Sequence, residues 1–159
     1  MMLSARVGAI EFDEHEVRLA VVKTGGRMPV LLEKHAEPVE YEEASARTDA
    51  YVRAVEALVG RVKAKPAAYV LCASARQAVV RAITVPFKGR RRVSSAVRFE
   101  LEPYLAFPIE DLSVDHLVIR EVEGGTQVLA VGVRRTVLDE RLAVLNAAGV
   151  DPEGIGLDA

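Results

Sequence analysis

The sequence predicts an α/β protein built from two successive alternations of strands and helices. Half of its 159 residues are hydrophobic, yet only 5% are aromatic and none is Trp. The core must therefore come from Val, Leu, Ile and Ala, which suits strands and helices packed in layers. The apolar period also switches repeatedly between two and about 3.6 residues along the chain, and Gly, Pro and acidic clusters punctuate the switches. At this length a single domain is the default, and a compact fold would bury roughly two-thirds of the surface exposed by the unfolded chain.

The first forty residues read as three strands. Val7, Ala9, Ile10 and Phe12 form one apolar run and Val17, Leu19, Val21 and Val22 the next. The polar tip Asp13-Glu14-His15-Glu16 between them fits a tight hairpin. Gly25-Gly26 is expected to supply positive φ angles to a second turn, and Val30, Leu31 and Leu32 open a third strand that ends near Pro38. From about Glu42 to Val62 the period changes, with Val52, Val55, Leu58, Val59 and Val62 making a helical stripe. After Pro66, the run from Ala68 to Ala73 has the composition of a strand covered on both faces. This β-β-β-α-β order is the unit that opens ribonuclease H-like and actin-like domains, although other α/β folds share it.

The second half predicts a strand from Ala78 to Val85 and a helix from Arg92 to Leu105, with Val93, Ala96, Val97, Leu101, Tyr104 and Leu105 on one face. Pro103 lies inside that stripe, and a proline there removes a helical hydrogen bond at a cost of about 3 kcal/mol, so the helix should kink or finish near Glu102. Leu112 to Val122 and Thr126 to Val133, separated by Glu123-Gly124-Gly125, form a hairpin. Thr136 is expected to cap a helix running to Ala148, with Gly149 as its C-cap and Leu138, Leu142 and Leu145 facing inward. Ile155, Gly156 and Leu157 would close the chain as a last strand.

Composition bounds the function. With 23 acidic and 21 basic side chains the net charge is −2, which lacks the basic footprint of a nucleic-acid-binding protein. One cysteine, Cys72, makes no internal disulfide, and the sequence has no Cys/His cluster of zinc-site type. No apolar run approaches the roughly 20 residues that span a bilayer, and the N-terminus has no signal-peptide pattern. A cytoplasmic location is expected.

The segment Arg98 to Leu112, reading RFELEPYLAFPIEDL, resembles a stretch of PilM, the actin-like protein of type IV pilus machines. That family shows an acidic helix, an aromatic-aliphatic pair, an Ala-Phe-Pro or Pro-Phe-Pro element and an acidic pair before a strand. Val80 to Pro86 resembles the family strand leading to Leu-Pro, Leu145 to Val150 resembles its helix end, and Gly8 to Arg18 falls where actin-like proteins carry their first phosphate loop. The resemblance implies an actin-like (ribonuclease H-like) lobe, the N-terminal half of a two-lobed protein. It places residues 1–86 with 153–159 in the meander-bearing subdomain, and 87–152 in a small inserted α+β subdomain of the type found in PilM and FtsA.

The phosphate loop of actin-like ATPases resembles D-x-G-x-x-x-x-K/R, in which the Asp helps hold the metal and the Gly lets backbone amides approach phosphate. At the matching positions this chain has Glu11, Asp13 and Arg18, with Glu14 and Glu16 adding negative charge. Four carboxylates repel a nucleotide triphosphate, so no cofactor is expected in this chain, and ATP only in a two-lobed protein. A carboxylate-rich metal site is the functional reading of this tip, and a solvated polar hairpin the alternative. No catalytic constellation is visible either. His15, His35 and His116 lie on separate segments, Cys72 sits in an apolar strand where a thiol is an inert hydrophobe, and Ser74, Ser94 and Ser95 lack a nucleophile-elbow context.

The resemblance therefore implies a non-enzymatic adaptor, peripheral to the bacterial inner membrane and associated with it only indirectly. Its expected partners are the cytoplasmic tail of a PilN-like membrane protein, held in a groove between subdomains, and the assembly ATPase complex. Val80, Ile83, Val97, Leu101 and Tyr104 are the expected apolar contacts. The run Lys88-Gly89-Arg90-Arg91-Arg92 is either a solvated cluster or a contact for an acidic partner or anionic headgroups. Two alternatives remain at this stage: the cytoplasmic domain of a GspL-type secretion protein, and a nucleotide-dependent actin-fold ATPase or kinase.

Overall fold

The computed structural model describes residues 5–158. It divides into two compact units. The larger runs through Ser74 and resumes at Asp139, and the smaller comprises Ala75–Leu138.

In the larger unit, β1 (Arg6–Phe12), β2 (Glu16–Lys23) and β3 (Val30–Pro38) form the expected antiparallel meander. Helix α1 (Arg47–Arg61) leads into β4 (Ala68–Ala73), which pairs in parallel with β1, and β8 (Pro152–Leu157) pairs in parallel with β4. The sheet order is β3-β2-β1-β4-β8. Alternate residues Ile10, Phe12, Val17, Leu19 and Val21 are buried, as a strand covered on one face requires. The α1 stripe is centred on Ala50, Tyr51, Ala54, Val55 and Leu58; Val52 and Val59 of the expected stripe are only half-buried at its margin. In the second turn only Gly25 takes a positive φ.

Glu33 ties β3 to the loop after α1. Its carboxylate accepts the amides of Ala64 (2.5 Å) and Lys63 (3.2 Å) and meets His35 Nε2 at 3.0 Å. The His35 bond, followed by the two amides, holds the Glu33 carboxyl below its ordinary 4.5. A depressed folded-state value contributes stability that is fully present above the unfolded value and lost as pH falls through the folded one. The melting temperature of wild type should therefore exceed that of Glu33→Gln above pH 4.5, and the gap should close on further acidification. A gap independent of pH would show that the charge is not what matters.

The smaller unit holds β5 (Ala78–Val85), α2 (Arg90–Leu101), β6 (Leu112–Val122) and β7 (Gly125–Arg134), with an antiparallel sheet ordered β5-β7-β6. Glu123-Gly124 is the hairpin turn, and Gly124 supplies its φ of 81°. Ile83, Val85, Val128, Ala130 and Leu112 pack with Val93, Val97 and Leu101 of α2 into one core. The helix stops at Leu101, and Pro103 falls in a following 3-10 turn, as its missing amide demands.

Three expectations need correction. The boundary placed after residue 86 lies before β5, because β5 hydrogen-bonds to β7 along its whole length and to no strand of the larger sheet. The inserted unit also ends at Leu138 rather than 152, so most of α3 (Arg135–Ala147) belongs with the larger unit. Helix α3 starts at Arg135, directly after the ladder residue Arg134, so Thr136 lies inside it and does not cap it. Its other end is as expected: Gly149 has φ 73°, its amide bonds the Asn146 carbonyl at 3.0 Å, and the Val150 amide bonds the Leu145 carbonyl at 2.8 Å. That pair of bonds is a Schellman motif.

Candidate functional site

The β1–β2 hairpin brings together the residues aligned with the phosphate loop. Arg18 lies opposite Glu11 in the ladder. Its guanidinium meets Glu11 Oε1 at 3.2 Å, Glu16 Oε1 at 2.5 Å and Asp13 Oδ2 at 3.6 Å. The Glu14 amide donates to Asp13 Oδ1 at 2.6 Å and holds that carboxyl below the usual carboxylate range, with Arg18 acting in the same direction. The hydrogen bond to Glu16 in turn raises the Arg18 pKa. Glu11, Asp13 and Glu16 thus converge on a guanidinium. Among the described residues no group of three His, Cys, Asp or Glu is arranged to hold a metal.

The tip is clamped from below. The Tyr51 hydroxyl, on α1, donates to the Asp13 carbonyl at 2.8 Å and lies 3.3 Å from the Glu14 carbonyl. Phe12 leans on the Tyr51 ring at 5.7 Å between centroids, and the Arg141 guanidinium of α3 lies over both rings, at 5.0 Å and 4.7 Å. Sequence reasoning missed Tyr51, since an aromatic on an apolar stripe carries no mark of its hydroxyl's destination. Burial pushes the Cys72 thiol up, with Glu11 and Asp158 adding to the effect, so the thiolate is disfavoured.

The expected partner contacts separate into three groups. Ile83, Val97 and Leu101 are core residues of the smaller unit, which corrects their assignment as groove contacts: the face they point to is filled by one another. Val80 lies on the opposite face of β5. The ladder places it beside Val131, and Ala82 beside Leu129 and Leu117, forming an apolar sheet surface on which Leu117 is 68% exposed. Tyr104 is 58% exposed after α2.

Arg90, Arg91 and Arg92 are exposed in the first turn of α2, which contains no acidic residue. Near them lies a shallow concavity of about 570 Å³ lined by Phe87, Arg91, Arg92, Ser95, Ala96 and Phe99. Phe87 and Phe99 were not singled out from the sequence. Phe99 stands off the apolar stripe of α2, and an aromatic on the polar side of an amphipathic helix is the signal that finds it.

Among the described residues no helix is long and apolar enough to cross a membrane. A PilM–PilN type IV pilus biogenesis complex contains a chain that superposes with TM-score 0.76 at 24% identity, covering 95% of this chain and 47% of that one. The cytoplasmic domain of EpsL, an inner-membrane component of the Vibrio cholerae type II secretion system, superposes with TM-score 0.62 at 16% identity, covering 96% and 57%. The chain thus spans about half the length of these solved proteins, and the likeness is one of fold, the actin-like lobe. No curated protein matches the sequence. The family profile described as type II secretion system (T2SS), protein L, fits residues 42–159. The whole α1-to-β8 stretch just described therefore falls within the match, and the chain belongs to the type II secretion system protein L family.

Proposed function

We propose that this lobe is a cytoplasmic scaffold of an inner-membrane secretion platform, and that it works by binding and not by nucleotide chemistry. The observation that carries this reading is the hairpin: the one cation aligned with the phosphate loop is engaged by three carboxylates. A nucleotide would have to displace those ion pairs and approach a negative tip, which Coulomb repulsion opposes. Family membership and the fold shared with a chain of the PilM–PilN complex support a role in a secretion or pilus platform. The partner is a cytoplasmic tail of a PilN-like membrane protein, and the scaffold links it to the assembly ATPase.

The bare face of the β5-β7-β6 sheet suits such a tail. The apolar row Ala82-Leu129-Leu117 offers a surface for the alternate side chains of an extended tail, and the edge strands β5 and β6 each have a side that pairs with no described strand. Isothermal titration of the full chain with a synthetic peptide of the partner's cytoplasmic tail should give saturable binding, weakened at least about tenfold by Leu117→Lys. Mg-ATP should give no binding heat. Absence of peptide binding would remove the scaffold reading. Mg-ATP binding lost in Arg18→Ala would install the actin-fold ATPase or kinase in its place.

A further inference from the structure

The outer surface of α2 lies on the opposite side of the smaller unit from the bare sheet face. Val93, Val97 and Leu101 turn one side of this helix into the core. Positions 91, 92, 95, 96 and 99 fall together on another side at helical spacing, and these residues with Phe87 line the concavity. Its apolar lining is open to solvent, with Phe99 73% and Phe87 45% exposed. Phe87 is not a loose loop residue: its carbonyl accepts the hydroxyl of the buried Thr126 at 2.8 Å.

Charge at this surface is one-sided. Lys88 meets Glu121 at 3.6 Å, but Arg90, Arg91 and Arg92 have no acidic partner among the described residues. They also stand where the helix macrodipole is itself positive, so their mutual repulsion is relieved only by water or by an anion from outside. The chain as a whole carries −2, so this is a local positive patch and not part of a general basic surface.

We propose that this surface binds an acidic amphipathic segment of a partner protein, with an apolar anchor seated between Phe87 and Phe99 and carboxylates facing Arg91 and Arg92. Two exposed aromatic side chains lining one concavity suit a discrete apolar side chain flanked by carboxylates, which a lipid headgroup surface does not offer. The twelve residues of α2 span about 18 Å, enough for roughly three turns of a partner helix. Arg guanidinium groups bind carboxylates bidentately, so register is set as well as affinity.

The test uses the full chain and a fluorescent 15-residue peptide with Leu and Phe on one helical face and Glu on its flanks. A scrambled peptide of identical composition and vesicles containing phosphatidylglycerol serve as the other probes. Anisotropy should show the amphipathic peptide binding at least about tenfold more tightly than the scrambled one. Phe99→Ala and Arg91→Glu should each lose most of that difference, and binding should weaken with salt. Because these residues are exposed, circular dichroism should be unchanged. Equal binding of the two peptides, or no binding of either, overturns the proposal, and so does vesicle binding abolished by the same variants without peptide binding. Leu117→Lys should leave this binding intact while weakening the tail peptide, so failure at one surface is distinguishable from failure at the other.

Discussion

Leu101→Ala should destabilise the smaller unit by about 2–5 kcal/mol, the range for emptying a buried leucine site. Leu101 is fully buried in the cluster that joins α2 to the sheet. It reaches over the central strand at Gly132, where an added Cβ would lie 3.7 Å from Leu101 Cδ2 and 2.8 Å from Leu112 Cδ1. Two leucines therefore fill the space that glycine leaves on β7, and shortening one opens a hole that the small neighbours Gly132 and Ala130 cannot close. A melting transition of the whole chain does not by itself assign a loss to one of the two units. Hydrogen exchange of the β5 and β7 amides reports the smaller unit directly, and protection there should fall by at least an order of magnitude. Tyr104→Ala, at an exposed position, should change stability by no more than about 0.5 kcal/mol. If Leu101→Ala weakened partner binding and left exchange untouched, Leu101 would be a contact residue after all.

That pair of variants also marks what periodicity can and cannot convey. The stripe Val93, Val97, Leu101 and the stop at Pro103 were readable, because a helix that buries one side must repeat every three to four residues. Neither that stripe nor the alternation of β5 says whether a buried face meets its own unit or a partner, and only the fold assigns Ile83, Val97 and Leu101 to the core. The β5 boundary failed for a related reason. Its ladder partner is β7, running from Val133 back to Thr126, and pairing with a strand so distant in sequence leaves no local mark. The hairpin carboxylates were visible as a charge pattern, but their convergence on Arg18 depends on the ladder register that sets Glu11 opposite it. Phe99 is out of phase with the apolar stripe of α2, and a search for periodic apolar residues passes over such a position.

Tyr51 should separate the hairpin's packing from its hydrogen bonding. Tyr51→Phe deletes the hydroxyl that donates to the Asp13 carbonyl and should cost about 1 kcal/mol, the net value of one such bond. Tyr51→Ala also removes a ring that is 1% exposed and packs against Phe12 and the Arg141 guanidinium, and should cost about 3–5 kcal/mol. Denaturant unfolding of the two variants beside wild type measures both. The cation over the rings adds a specific expectation: Arg141→Ala should cost less in a Tyr51→Ala background than in wild type, by about 0.5–1 kcal/mol. Strict additivity would mean that Arg141 merely lies near the ring. Equal losses in Tyr51→Phe and Tyr51→Ala would shift the weight from packing to the hydroxyl. The hairpin would then owe its shape to one bond at the Asp13 carbonyl, and the ion pairs of Arg18 would be held in place through that bond.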